Sequence, residues 1–103
     1  MTSPRFTWDE AKNAANQRKH DGIAFEQAAQ VFLDPFHLTR QDRFEAGEER
    51  WQTIGVVRGV TILLVAHTIT ELESDPEPIE EIRIISARRA SAKERKKYET
   101  EIR

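Results

Sequence analysis

The sequence predicts a single α+β domain over residues 1–103, in which an antiparallel sheet of about four strands packs against two N-terminal helices and one C-terminal helix. Two helix signals precede Pro35, strand-like segments separated by turn residues follow it, and a further capping sequence lies near the C-terminus. A chain of 103 residues has the usual size of one domain with one hydrophobic core. Helices before and after an uninterrupted run of strands are typical of an α+β fold.

The first segment predicts a short strand around Phe6, followed by a helix. Thr7–Glu10 matches a capping box, in which the Thr7 hydroxyl covers an early N–H of the helix and the glutamate reaches back. Gly22 suits the left-handed residue that closes a helix. The face that we expect this helix to bury carries Trp8, Ala11 and Ala15.

A second helix is predicted over Phe25–Leu33, because its apolar residues follow the i, i+3, i+4, i+7 spacing of one buried face. Pro35 ends the helix, since proline has no N–H to continue the hydrogen-bond ladder. The residues of this apolar face are Phe25, Ala28, Ala29 and Phe32.

Four strand-like segments follow, separated by turn or loop residues. Val60–Ala66 contains only one polar residue, Thr61, and is therefore predicted to be a central, buried strand with antiparallel neighbours. The predicted strands are Leu38–Asp42, Arg50–Val57, Val60–Thr68 and Glu81–Ala87, and the segments predicted to connect them are Glu45–Glu48, the tight turn Arg58–Gly59 and the flexible acidic loop Glu71–Glu80.

The C-terminal part predicts a helix with a strongly basic character. Ser91–Glu94 matches a second capping box and starts this helix. Residues 83–103 carry eight basic and three acidic side chains, a net charge of +5, whereas the first 82 residues carry eight basic and fifteen acidic ones, a net charge of −7. This asymmetry favours either a polyanion-binding end of the molecule or a solvated helix face held by ion pairs.

Composition excludes several classes of protein. The chain has no cysteine, so it has neither a disulfide framework nor a thiolate metal site. Its three histidines are scattered without the spacing of metal ligands, and we expect no metal and no cofactor. No apolar run approaches the roughly 20 residues that span a bilayer, and the N-terminus lacks the apolar core of a signal peptide. The predicted location is the cytoplasm, without membrane contact.

Four segments resemble the BrnT toxins of bacterial type II toxin–antitoxin systems, over roughly residues 5–100. They are FTWDEAKNAANQRKHDGIAFEQAAQVFLDP, GEERWQTIG, LLVAHT and IRIISARRASAKERKKYE. The resemblance implies a RelE-like ribonuclease that blocks translation by cutting RNA. It also implies a BrnA-like antitoxin partner, which neutralises the toxin and through which alone the pair contacts operator DNA.

Metal-independent RNA cleavage needs a base, fixed cations and an acid. We expect His67 as acid or base, because it lies near the end of the central strand, where a side chain can emerge at the rim of the sheet. Arg50 and Arg83 are expected to stabilise the phosphorane, with Glu49 beside them. The alternatives are a hydrogen-bonded core histidine at position 67 and a structural ion pair between Glu49 and Arg50.

The basic end supplies the predicted RNA-binding residues, Arg88, Arg89, Lys93, Lys96 and Tyr98. The tyrosine can instead serve only to anchor the last helix. We expect the antitoxin to cover this same end, because an acidic inhibitor and a polyanion compete for one basic surface. The alternative function is a non-catalytic subunit of an autoregulatory, DNA-bound repressor complex.

Overall fold

The computed structural model describes residues 4–101. Within these residues, five strands and three α-helices follow one another, and a 3₁₀ turn continues the second helix. Their bounds are β1 Arg5–Thr7, α1 Glu10–Lys19, α2 Phe25–Ala29, the 3₁₀ turn Gln30–Leu33, β2 Leu38–Glu45, β3 Glu48–Val57, β4 Thr61–Leu72, β5 Ile79–Arg89 and α3 Ala92–Glu101. Within this described part, no helix is long and apolar enough to cross a membrane.

The strands form one mixed sheet in the order β1-β5-β4-β3-β2. Strands β2 to β5 make an antiparallel meander, whereas β1 pairs in parallel with β5. The α+β class is confirmed, but the prediction of about four antiparallel strands is corrected, since the Phe6 strand joins the sheet as a fifth. Its partner lies about 75 residues away in the sequence (Phe6 pairs with Ile82), and no local pattern indicates such a pairing.

Strand β4 lies between two antiparallel neighbours, as predicted from its apolar sequence. Leu63 and Val65 have no exposed surface, although Val60 lies in the preceding turn and is 83% exposed. Strands β4 and β5 run further than predicted, and Glu71 pairs with Glu80 where we expected a flexible loop. The acidic composition of residues 71–80 indicated a loop, but exposed positions of a hairpin also tolerate acidic side chains. The predicted strands were therefore shorter than β4 and β5 are.

The buried face of α1 is polar, which corrects the predicted apolar face. Asp9, rather than Thr7, caps the helix, since its Oδ1 accepts from the backbone N–H groups of Ala11 and Lys12 at 2.8 and 3.1 Å. The buried residues of the helix are Asn13 and Asn16, and Ala11 is exposed. The alanine positions predicted as core therefore face solvent.

Asn16 completes the hydrogen bonding of β5 where β1 stops. Strand β1 pairs only with residues 81–83 of β5, which leaves the later edge of β5 open. The Asn16 side chain fills this edge at Ala87, accepting from its N–H at 3.0 Å and donating to its carbonyl oxygen at 2.9 Å. Its amide nitrogen also donates to the carbonyl of Ile23 at 2.9 Å. A single buried amide thus joins α1 to the sheet.

The second helical segment is α-helical for five residues and then tightens into a 3₁₀ turn. Phe25 and Ala28 are fully buried as predicted, but Val31 takes the next buried position in place of Phe32, because the helical period shortens to three residues per turn. Gly55 on β3 leaves room for the Val31 side chain, since a Cβ at position 55 would lie 2.8 Å from Val31 Cγ1.

A capping box starts helix α3, and one tyrosine links the helix to the segment between the 3₁₀ turn and β2. The Glu94 N–H donates to Ser91 Oγ at 3.1 Å and the Ser91 N–H donates to Glu94 Oε1 at 2.8 Å, which confirms the predicted capping box. The Tyr98 hydroxyl donates to Asp34 Oδ2, which also accepts from the Val56 N–H at 2.9 Å. Burial, and then the hydrogen bond to Asp34, raise the pKa of Tyr98 to about 12.

Replacement of Asn16 by alanine should destabilise the fold strongly. The change leaves the N–H and carbonyl of Ala87 buried without partners, and the expected loss is about 2–4 kcal/mol in the free energy of unfolding. Urea denaturation measures this loss. The exposed change Lys12→Ala on the same helix serves as the control and should cost less than about 0.5 kcal/mol. Equal stabilities of the two variants would contradict the assigned role of Asn16.

Candidate active site

Alternation along β3 divides its side chains between the two faces of the sheet. Thr53, Gly55 and Val57 are buried on the face that packs against α1, α2 and the 3₁₀ turn, whereas α3 packs on the other face, where Tyr98 lies beside Ile54 and Leu64. Glu48 and Arg50 also lie on this other face, which we call the open face. The candidate site is on this open face.

Glu48 connects two arginines from different strands. Its Oε1 accepts from Arg83 Nη2 at 2.6 Å and lies 3.9 Å from Arg50 Nη2. Arg50 also pairs with Glu45 at 3.1 Å, across the β2–β3 hairpin. We call Glu45, Glu48, Arg50 and Arg83 the carboxylate–arginine cluster. Three strands therefore contribute side chains to one group of charges.

The guanidinium of Arg50 is held beneath the surface of the cluster. Its side chain is only 16% exposed, and its Nε–H has no hydrogen-bond acceptor among residues 4–101. Buried donors without a partner are uncommon in folded proteins. Arg83 is more open, with 43% of its side chain exposed, and uses Nη2 for Glu48. The remaining N–H groups of Arg83 stay available to an anion.

The open face continues toward β2 through a second polar pair. Arg40 donates from Nε and Nη2 to Gln52 Oε1 at 3.2 and 3.0 Å. Gln52 lies two residues after Arg50, on the same face of β3. Neither residue was singled out from the sequence, because an arginine and a glutamine in different strands give no local motif.

The predicted Glu49 lies on the face of β3 opposite to Arg50, and it faces Phe44 across the hairpin. The structure therefore corrects its pairing with Arg50: Glu48 takes that place. The sequence analysis assigned Glu48 to a loop. An i, i+2 spacing of Glu48 and Arg50 would have indicated the pair if the strand had been extended by two residues.

His67 is a core residue, so the prediction that its side chain emerges at the rim of the sheet is wrong. It has no exposed surface, and its ring meets Phe32 edge-on, with 5.1 Å between the ring centroids. Its Nδ1 lies 3.2 Å from the carbonyl oxygen of Thr68 and its Nε2 lies 2.7 Å from Thr53 Oγ1. The ring is therefore closed off from the surface of the protein.

These contacts fix the proton positions around His67. A carbonyl oxygen only accepts, so Nδ1 carries the proton, and in the neutral ring Nε2 accepts from the Thr53 hydroxyl. Thr53 in turn accepts from Thr39, 2.7 Å away. The chain of hydrogen bonds joins β4, β3 and β2. Burial lowers the pKa of His67 to about 4, which keeps the ring neutral at physiological pH.

The predicted RNA-binding residues occupy different surroundings. Arg88 holds Glu94 with two hydrogen bonds of 2.8 and 2.9 Å, and this contact lowers the pKa of Glu94 to about 2. Tyr98 is 4% exposed and anchors α3, which leaves no ring face for a base. Lys93 and Lys96 are exposed on α3, and Arg89 is exposed at the far end of β5.

No group of three or more potential metal ligands occurs within residues 4–101. The carboxylate–arginine cluster instead combines acceptors with fixed cations, a set that can bind an anion and accept a proton.

Comparison with protein families matches residues 8–94 to the family described as "Ribonuclease toxin, BrnT, of type II toxin-antitoxin system". The chain belongs to the BrnT family. The crystal structure of the Brucella abortus ribonuclease toxin BrnT is similar in fold, with a TM-score of 0.56 and 26% sequence identity over 86% of this chain and 99% of that one. A comparison with curated proteins found no match. Membership of the BrnT family makes an antitoxin the expected protein partner.

Acidification should weaken this BrnT-family fold through His67. Its pKa falls from 6.5 to about 4 on folding, so between these values the unfolded chain binds more protons and stability decreases as the pH falls. The shift corresponds to about 3 kcal/mol, at 1.36 kcal/mol per pKa unit. Denaturation of wild type and His67→Gln between pH 7 and 4 measures it. Over this pH range, the free energy of unfolding of His67→Gln should fall by about 3 kcal/mol less than that of wild type. Equal falls in the two proteins would contradict the lowered pKa of His67.

Proposed function

We propose that this chain cleaves RNA on the open face of its sheet, with the carboxylate–arginine cluster as the catalytic site. The observation that carries the proposal is that one carboxylate, Glu48, lies between two arginines of different strands. Arg50 and Arg83 keep the role expected from the sequence. Glu48 replaces Glu49, and His67 becomes a structural residue of the layer beneath.

In the proposed reaction, the 2′-hydroxyl next to the scissile phosphate gives its proton to Glu48. The resulting 2′ oxygen attacks the phosphorus, and the 5′ oxygen leaves with a proton taken from water. The products are a 2′,3′-cyclic phosphate and a 5′-hydroxyl end. Arg50 and Arg83 stabilise the charge that grows on the phosphorane oxygens, because fixed cations need no reorganisation during the step.

The same arginines explain how RNA is held. Arg83 uses one nitrogen for Glu48, and a guanidinium has five N–H donors, so it can hold a phosphate oxygen and the carboxylate together. Arg40 and Gln52 extend the polar surface along β2 and β3. Lys93 and Lys96 on α3 add exposed positive charge that attracts the phosphate backbone.

We further propose that cleavage requires no metal, takes place in the cytoplasm and inhibits translation. A BrnA-like antitoxin neutralises the toxin and provides the only contact of the pair with operator DNA. A non-catalytic repressor subunit is the second candidate, favoured by the pairing of both cluster arginines with carboxylates in the free protein. Arginine–carboxylate pairs of this kind also occur where they only stabilise a fold.

An RNA cleavage assay with purified protein in the presence of EDTA distinguishes the ribonuclease from the non-catalytic repressor subunit. Glu48→Gln should lower the cleavage rate about 10²–10⁴-fold, because the general base is lost. Arg83→Ala should lower it about 10²–10³-fold through the loss of charge stabilisation. Glu49→Gln is the matched control on the other face of the same strand and should retain the wild-type rate.

Two results would contradict the proposal. Wild-type protein that leaves RNA intact in the presence and absence of EDTA would favour the non-catalytic subunit. Full activity of Glu48→Gln, with melting temperatures matched to wild type, would remove the cluster as the catalytic site.

A further inference from the structure

A second basic surface lies at the other end of the sheet from the carboxylate–arginine cluster. Here the β3–β4 turn, the end of β5 and helix α3 enclose a cleft with a volume of about 480 Å³. Its lining includes Val60, Ile62, Arg89, Arg95 and Glu99. We call this surface the arginine cleft.

Neither of the two arginines that line the arginine cleft is paired with a carboxylate of the described residues. Within residues 4–101, neither Arg89 nor Arg95 forms an ion pair or a side-chain hydrogen bond. By contrast, the other arginines of the sheet are engaged, with carboxylates or an amide. Examples are Arg83 with Glu48 and Arg88 with Glu94. Two guanidiniums in one cleft repel each other, and an entering anion relieves this repulsion.

The chemistry of the remaining lining selects the kind of anion. Val60 is 83% exposed, and together with Ile62 it gives the cleft an apolar wall. Glu99 lies beside the two arginines and needs a donor from any occupant; a polypeptide can supply backbone N–H groups or a basic side chain, whereas a chain of phosphates supplies none. No aromatic ring of the described residues lines the cleft, so a base has nothing on which to stack. These features fit a peptide better than RNA.

We propose that the arginine cleft binds a segment of the antitoxin that carries acidic side chains beside an apolar one. The carboxylates pair with Arg89 and Arg95, since guanidinium groups bind carboxylates in a two-pronged geometry. The apolar side chain packs on Val60 and removes it from water. The identity of this partner rests on the proposed function as a toxin.

The position of the cleft separates antitoxin capture from RNA binding. Arg83 and Arg89 are six residues apart on β5, and at about 3.3 Å per residue this corresponds to roughly 20 Å. A segment of fewer than about six extended residues bound in the arginine cleft therefore does not reach the carboxylate–arginine cluster. Changes in the cleft weaken antitoxin binding without weakening RNA binding.

The experiment compares two probes on one set of variants. The first probe is the full-length antitoxin partner, and the second is a single-stranded 2′-O-methyl RNA, which cannot be cleaved through its 2′ oxygen. The double variant Arg89→Glu/Arg95→Glu should bind the antitoxin about 30-fold more weakly or worse, and bind the RNA within about threefold of wild type. The double variant Arg18→Glu/Lys19→Glu, at two exposed positions of α1, changes the net charge by the same amount and should leave antitoxin binding unchanged.

Each other outcome overturns the proposal. Unchanged antitoxin affinity shows that the cleft is not the docking surface. An equal or larger loss of RNA affinity assigns Arg89 and Arg95 to RNA. Self-association of wild type that the double variant abolishes makes a second copy of the chain the occupant. Melting temperatures and the milder Arg89→Gln/Arg95→Gln variant exclude misfolding as the cause of a loss. RNA cleavage by wild type is measured separately, so failure of the proposed function is recognised independently of the binding result.

Discussion

Along β3, successive side chains point to opposite faces of the sheet, and the rest of the structure depends on this alternation. Thr53, Gly55 and Val57 are buried against α1, α2 and the 3₁₀ turn, whereas Glu48 and Arg50 lie on the opposite face in the carboxylate–arginine cluster. A shift of one residue in the pairing of β3 would place the charged residues in the core and the core residues in water. The register of β3 with β4 and β2 therefore fixes the core and the carboxylate–arginine cluster together.

Buried polar side chains form hydrogen bonds with the backbone of a strand at positions where the neighbouring strand has ended. Asn16 pairs with Ala87 beyond the end of β1, and Asp34 accepts from Val56 beyond the start of β2. His67 joins three strands through Thr53 beneath the open face. Buried polar groups are costly unless they are hydrogen-bonded, so each of these contacts specifies one arrangement of the elements. The cluster is held in place by this polar frame as well as by apolar packing.

Much of the fold, but little of the site, could be predicted from the sequence. Apolar spacing and capping boxes indicate the order of elements, and α3 begins at Ala92, directly after the capping residue Ser91. The parallel pairing of β1 and the polar face of α1 could not be predicted, because both depend on partners distant in sequence. For the site, strand alternation places Glu48, and not Glu49, on the same face as Arg50. The predicted strand began two residues late, at Arg50, so Glu48 was assigned to a loop and Glu49 was chosen instead. The burial of His67 follows from the packing of Phe32 above it, which strand composition does not show.

Nuclear magnetic resonance of arginine side chains tests the central claim, that RNA is bound at the carboxylate–arginine cluster, most directly. The Nε–H signals of individual arginines are followed while an uncleavable 2′-O-methyl RNA is added. The signals of Arg50 and Arg83 should shift, because phosphate oxygens approach their guanidinium groups, whereas those of Arg89 and Arg95 should remain in place. Shifts confined to Arg89 and Arg95, with Arg50 and Arg83 unchanged, would contradict the account.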